Sequence, residues 1–376
     1  MEVVSEDKKV FNNIFFGKKV LITGNTGFKG SWLSLWLIRL GANVIGYSDK
    51  VPTSPSLFDE AEIEKKIMHN TGDISDKNKL NTLINDTKPD YIFHLAAQAI
   101  VSTSFKDPLQ TYLTNVQGTA TLLDILKDYG SKCVAVIITS DKCYDNVEWV
   151  WGYRETDRLG GKDPYSASKA CAELVFRSYF ESFFNNQNSF VKLGVARAGN
   201  VLGGGDWSQD RLVVDAIKNW SSNKRVQIRN PNATRPWQHV LEPLSGYLTL
   251  AEHLSTSSQL NGAAFNFGPN SSNQRTVKEL LIDLSKKWFS YNNQNMIKVL
   301  EDKSFHEAGI LKLNCDKAAF DLSWTSVLNY RETVEFISDW YWEYYNGTIT
   351  ALDLSLNQIS SFEDKALERS LNWISK

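Results

Sequence analysis

The stretch Lys18 to Leu40, KKVLITGNTGFKGSWLSLWLIRL, decides the fold. Lys18 to Thr23 is a short β-branched run that stops at a glycine cluster, and Ser31 to Leu40 reads as an almost wholly apolar helix. Strand, turn and buried helix are followed at Asn43 to Ser48 by a second strand, which completes a βαβ unit. Further apolar runs at Tyr91 to Ala96, Val134 to Thr139 and Val191 to Ala196 alternate with helical stretches such as Thr111 to Tyr129 and Ser166 to Phe184.

Strands that alternate with helices imply an α/β fold, a doubly wound parallel Rossmann sheet covered on both faces. After about Asn200 the pattern breaks: Gly203-Gly204-Gly205, Pro231, Pro236 and Pro243 cut the chain into loops and short elements. The reading is therefore a nucleotide-binding domain over residues 17–199 and a smaller C-terminal α/β substrate-binding lobe over residues 200–345. Ala264 to Phe267 is expected to return one strand to the lobe or the sheet, and Thr276 to Phe289 and Tyr330 to Tyr345 look helical. Ser290 to Asn295 is a polar loop, and residues 346–376 form a C-terminal tail, helical or loose.

The 376 residues carry 41 Lys plus Arg against 43 Asp plus Glu, a net charge of -2 that offers no broad footprint for nucleic acid or an anionic membrane. No run reaches the ~18 apolar residues of a membrane helix. Met1 to Phe16 has no signal-peptide pattern. Cys133, Cys143, Cys171 and Cys315 show neither C-x-x-C spacing nor neighbouring histidines, so no metal site and no disulfide framework are expected. Reduced thiols without a signal peptide imply a cytoplasmic location. The 12 tryptophans suggest an aromatic-lined interior or groove, though packing alone can use them.

Three constellations carry chemistry. In Thr23-Gly24-Asn25-Thr26-Gly27-Phe28-Lys29-Gly30 the glycines lie between a strand and a helix. Missing side chains let the backbone approach a diphosphate, and the helix N-terminus offers unpaired N–H groups to it. An acidic residue roughly 20 positions on would hold a ribose. Asp49 is near that place, or is a solvated turn residue, so NAD is favoured over NADP only weakly by position. Asp73, in Gly72-Asp73-Ile74, lies near the adenine or caps a helix. Ala96-Ala97-Gln98 closes a strand with small residues, as a chain under a cofactor needs, and Asn115 either faces the cofactor or is an ordinary helix polar residue.

Tyr165 and Lys169, at i and i+4 of a helix begun by Asp163-Pro164, share one face. A lysine there lowers the phenol toward neutrality and lets it exchange a proton with a substrate hydroxyl. At the end of the strand Val134 to Thr139 stand Thr139-Ser140-Asp141-Lys142-Cys143-Tyr144: a hydroxyl to share that proton, and a carboxyl and an amine for acid and base. Scattered polar groups of the lobe (Asn200, Trp207, Arg211, Arg229, Arg235, Trp237) suit diphosphates and rings, while His239 reads as structural.

These residues resemble the nucleotide-sugar 4,6-dehydratases of the extended short-chain dehydrogenase/reductase family. The matching strings are TGNTGFKGSWLSLWL (Thr23 to Leu37), TSDKCYDN (Thr139 to Asn146), EWVWGYRETD (Glu148 to Asp157), DPYSASKACAELV (Asp163 to Val175), ARAGNVLGGGDW (Ala196 to Trp207) and RPWQHVLEPLSGYL (Arg235 to Leu248). Asp141-Lys142, where most relatives carry Asp-Glu, is similar to the branch acting on CDP-glucose. The resemblance implies a hydro-lyase with tightly held NAD that makes CDP-4-keto-6-deoxyglucose for surface polysaccharide such as O-antigen. Tyr165, with Ser140 and Lys169, would take the C4 hydroxyl proton as hydride leaves C4. A base would then remove the C5 hydrogen, Asp141 would protonate the departing C6 hydroxyl, and hydride would return to C6.

By the same resemblance Lys142 is the base, with bound water or Tyr144 as alternatives. Asn200, Arg211 and Arg235 match nucleotide-sugar positions. Gly24, Gly27, Gly30, Asp73, Gln98, Tyr165 and Lys169 match cofactor positions, and Thr26, Phe28, Ile74, Ala96, Ala97, Asn115 and Thr139 lie among them. A homodimer is implied, through the Tyr165 helix and the Thr111 to Tyr129 helix, with pairing of dimers left open. The alternatives are a dehydratase for another nucleotide, a 4-epimerase, or a catalytically silent NAD-binding sensor.

Overall fold

The computed structural model describes residues 8–186, 189–269, 274–289, 296–300 and 310–376; the loop expected at Ser290 to Asn295 lies outside them. Seven strands form one parallel sheet: β1 (Lys19–Thr23), β2 (Asn43–Ser48), β3 (Met68–Thr71), β4 (Tyr91–His94), β5 (Cys133–Ile138), β6 (Val191–Ala198) and β7 (Ala264–Phe267). Their spatial order is β7-β6-β5-β4-β1-β2-β3. The order reverses between β1 and β4, and there the helices that follow the strands leave toward opposite faces and open a crevice at the carboxyl ends. Ala264–Phe267 thus joins the sheet, parallel to β6.

Alternation along each strand builds two cores. Val20 and Ile22 of β1 face one layer with Trp32, Trp36 and Leu244, whereas Leu21 faces the other with Ile84, Leu122 and Phe176. Helix α1 (Phe28–Arg39) is apolar almost all round because it is buried on nearly every side. The opposite layer contains α2 (Lys77–Thr87), α3 (Gly118–Leu126) and α4 (Pro164–Tyr179); α5 (Leu241–Thr256) covers β6 on the α1 side. Strand β3, sequence MHNT, carries no apolar run because it is the half-exposed sheet edge.

Short strand pairs make up the lobe: Val201–Leu202 with Gln238–His239, Thr234–Pro236 with Gln274–Thr276, and Val226–Ile228 with Ile297–Val299. Trp207 and Trp237 are buried there, Trp207 against Trp340 and Tyr344, so they pack the lobe and present no face to a ligand. The C-terminal tail takes the helical alternative over most of its length. After α6 (Tyr330–Asn346) the chain forms α7 (Ala351–Glu368), which lies on α1, and Ile374–Ser375 pairs antiparallel with Lys9–Val10. The fully buried Glu363 of α7 accepts bonds from Trp36 Nε1 (2.9 Å) and Arg39 Nη2 (3.2 Å), so the final helix is fastened to the helix that follows the glycine turn.

Candidate active site

The turn between β1 and α1 is shaped by two glycines. Gly24 has φ +78°, and a Cβ on it would lie 2.7 Å from the Ala96 nitrogen; a Cβ on Gly30 would lie 2.1 Å from the Gly24 carbonyl oxygen. Gly27 differs, since its Cβ would meet only the Gly24 oxygen, at 3.4 Å. It caps α1 with no side-chain hydrogen bond, leaving the first amides of the helix without a side-chain partner. Ser48 at the end of β2 receives the Thr26 N–H (3.3 Å) and donates to Asn25 Oδ1 (2.8 Å), which ties the turn to the sheet. An uncapped helix start behind a cradle of bare backbone fits a dinucleotide diphosphate.

The neighbouring residues are placed differently from one another. Asp49 is exposed beside Lys50, just past β2. Asp73 does not cap the following helix, a role that Asp76 fills; its Oδ1 accepts from Ser75 N–H (2.8 Å) and hydroxyl (2.7 Å) in a local turn, and Ile74 is core. Gln98 donates to Thr111 Oγ1 (2.9 Å) and accepts from Ile100 N–H (2.6 Å). Asn115 accepts from Gln98 N–H (2.8 Å) and donates to the Gln98 carbonyl (3.1 Å) and Ser168 Oγ (2.8 Å). Both amide side chains are therefore committed to bracing the loop after β4 against α4.

Ser140, Asp141 and Tyr165 converge at the carboxyl end of β5. Asp163 caps α4 by accepting the Ser166 N–H (2.9 Å), with Pro164 in the first turn, and this start aims Tyr165 and Lys169 inward. Ser140 Oγ donates to Asp141 Oδ1 (2.9 Å). Burial pushes the Asp141 carboxyl above its ordinary range against the pull of Lys142, Ser140 and Lys29, so it is suited to act as an acid. Burial also brings Lys169 down to about 8. The expectation for Tyr165 is corrected: burial holds its phenol up at about 12, outweighing the opposing influence of Ser140 and Arg211. Lys142, half-buried, donates its backbone N–H to Ser140 Oγ (3.2 Å). Tyr144 turns away: it donates to Asn266 Oδ1 (2.8 Å), receives Arg197 Nη1 (2.7 Å), and burial pushes its phenol far up.

Just past β6, Gly199 lies so close that its Cβ would stand 3.1 Å from Asp141 Oδ2, and the half-buried Asn200 follows it in the chain. Arg211 pairs with Asp206 (3.3 Å) and bears electrostatically on Lys29 and Tyr165. Arg235 lies on Thr234–Pro236 and donates to the Thr234 carbonyl (2.9 Å). His239 is buried edge-on to Trp32 and Phe336.

One residue of the site escaped the sequence reading. Lys29, in the first turn of α1, reaches Tyr247 Oη (3.5 Å), and burial, with Arg211 and Lys169 close by, lowers its amine to about 7. Its signal was a cation at the positive end of a helix dipole, where cations are disfavoured.

The profile of the family described as GDP-mannose 4,6 dehydratase matches residues 21–337. The chain belongs to that family. Within it, the chain is 46% identical over 339 residues to the CDP-glucose 4,6-dehydratase of Salmonella typhimurium, covering 89% of this chain and 93% of that one. It is 26% identical to the CDP-paratose 2-epimerase of Salmonella typhi, over 86% of this chain and 98% of that protein. Among solved structures it superposes on a dTDP-glucose 4,6-dehydratase from Streptomyces venezuelae with NAD bound, at TM-score 0.73 and 22% identity, covering 86% and 97% of the two chains. This family member thus has the doubly wound sheet that its sequence implied.

Proposed function

We propose that the chain is a CDP-glucose 4,6-dehydratase, converting CDP-glucose to CDP-4-keto-6-deoxyglucose with NAD. One observation carries the reading: a buried acid, Asp141, stands beside Lys142 on the turn that faces Tyr165 and Lys169. The identity to the Salmonella enzyme, spread over nearly the whole of both chains, points to the same substrate. An epimerase needs no acid and base for C5 and C6, so this pairing favours the dehydratase.

The residues divide the work. Gly24, Gly27 and Gly30 leave room for the dinucleotide diphosphate at the start of α1. NAD held there would supply the hydride acceptor and donor that oxidation at C4 and reduction at C6 require. Tyr165 takes the C4 hydroxyl proton, with Ser140 and Arg211 favouring the ionised phenol and Lys169 on the same helix face. The C4 ketone acidifies the C5 hydrogen, Lys142 removes it, and Asp141 gives its proton to the departing C6 oxygen. Asn200, Arg211 and Arg235 are the proposed nucleotide-sugar contacts.

The experiment is incubation of the purified protein with CDP-glucose and, separately, with GDP, UDP and dTDP sugars, following mass. Loss of one water from CDP-glucose alone, without net NADH, is the expected result. Unchanged mass with every sugar would point to epimerase or binder, and inversion at C4 would then decide between them.

The protein is further proposed to be a cytoplasmic homodimer contributing to polysaccharide such as O-antigen. No helix among the described residues is long and apolar enough to cross a membrane, and the four cysteines are free thiols. Exposed Phe105, Leu109 and Leu113, with Leu174 and Phe183 of the helical segment that includes Tyr165, support pairing through these segments. Light scattering at twice the chain mass, reduced to the chain mass in Leu109→Lys, checks it.

A further inference from the structure

One buried ion pair lies behind the catalytic face without a part in the steps above. Tyr165, Lys169 and Glu173 stand at i, i+4 and i+8 of α4, share one face and are all buried. Arg197 of β6 grips Glu173 through two parallel bonds, Nε to Oε1 and Nη2 to Oε2, each 2.8 Å. Its remaining nitrogen, Nη1, donates to Tyr144 Oη (2.7 Å) and to the Glu155 carbonyl (3.1 Å). Glu173 Oε1 also accepts the Thr139 hydroxyl. Thr139 and Tyr144 bracket the turn that carries Ser140, Asp141 and Lys142, so the pair holds that turn at both ends. A buried ion pair is weak as a source of stability, because desolvation offsets the attraction.

We propose that Glu173 is a positioning residue of the dehydratase: with Arg197 it holds the Thr139 to Tyr144 turn against Tyr165, and it sets a fixed negative charge one helical turn from Lys169. The inference rests on the proposed function for its kinetic readout. The groups that face Lys169 are Tyr165 and Glu173 from its own helix, Cys143 from the turn, His94 from β4 and Lys29 from α1. His94 stays neutral, with burial bringing it down to about 3, and burial pushes the Cys143 thiol well up, so it too stays neutral. Lys29 works against the Lys169 charge, and among the described residues Glu173 is the carboxylate that supports it.

The test uses the purified full chain as Glu173→Gln and as Glu173→Gln/Arg197→Gln, the second of which strands no buried cation if the first fails to fold. The expected result is a fall in kcat of about ten- to a hundredfold with KM for CDP-glucose within about twofold. The alkaline limb of the pH–rate profile moves about one unit to lower pH in Glu173→Gln, because Lys169 loses the charge that keeps it protonated, and moves the same way by less in the double variant, where the Arg197 cation is lost as well. An unmoved limb, with activity lost only in proportion to melting temperature, overturns the proposal. Should the wild-type chain fail to dehydrate CDP-glucose, the functional reading falls separately, and 15N NMR titration of the Lys169 amine, assigned by its loss in Lys169→Met, takes over. A midpoint that drops in Glu173→Gln supports the charge-setting role; one that stays put overturns it.

Discussion

In the proposed dehydration, Asp141 and Lys142 would divide the elimination between two adjacent side chains that differ in burial. The short helical turn they share sends the carboxyl inward against Gly199 and leaves the amine half-buried. A buried carboxyl that keeps its proton donates to a leaving hydroxyl, whereas a base must be reached by the C5 hydrogen. Asp141→Asn is therefore expected to keep deuterium uptake at C5 from heavy water while water loss falls about a hundredfold or more. Lys142→Met is expected to abolish the C5 uptake, read by mass or proton NMR; retained uptake would return the base to bound water. Tyr144 is a poor substitute, because its hydroxyl is already engaged by Asn266 and Arg197.

Within the glycine turn the three glycines serve two purposes, and their surroundings separate them. Gly30 is bare because α1 presses on the Gly24 carbonyl, whereas Gly27 is bare on a side where little protein stands. Gly30→Ala is expected to lower the melting temperature sharply, beyond the ~1–3 kcal/mol typical of overpacking, since backbone cannot yield as a side chain does. Gly27→Ala should fold normally and bind NAD more weakly, a contrast that thermal melting and calorimetric titration together resolve. Helix α7 shows the same logic of fastening. Glu363→Ala leaves Arg39 without its ion-pair partner and the buried Trp36 N–H without an acceptor, and is expected to cost about 3 kcal/mol in denaturant unfolding.

Across the whole molecule, α5 joins the sheet to the segment leading into α6 through one carboxyl. Glu242 accepts the N–H groups of Val327 (2.9 Å) and Leu328 (2.6 Å), and burial raises its carboxyl to about 8. Because the folded value lies above the unfolded one, its contribution to stability is complete below pH 4.5 and is lost as pH rises through about 8. The fall in melting temperature between pH 6 and pH 9 should be smaller in Glu242→Gln than in the wild type. Scanning calorimetry at the two pH values checks it.

The doubly wound sheet, the glycine turn and the Tyr165–Lys169 face were legible in the amino-acid order because they rest on local periods: two for a strand, about 3.6 for a helix, and glycines where a strand meets a helix. The edge strand β3 was not legible, since half its side chains meet water and it has no apolar run to show. Neither was the docking of α7, whose sequence is weakly patterned until Trp36 and Arg39, more than 300 residues earlier in the chain, supply its partners. Protonation lay furthest from the sequence. Residue types named Asp141, Lys169 and Tyr165, but the fold sets their proton affinities and that of Lys29, because burial and neighbouring charge are properties of a packed interior.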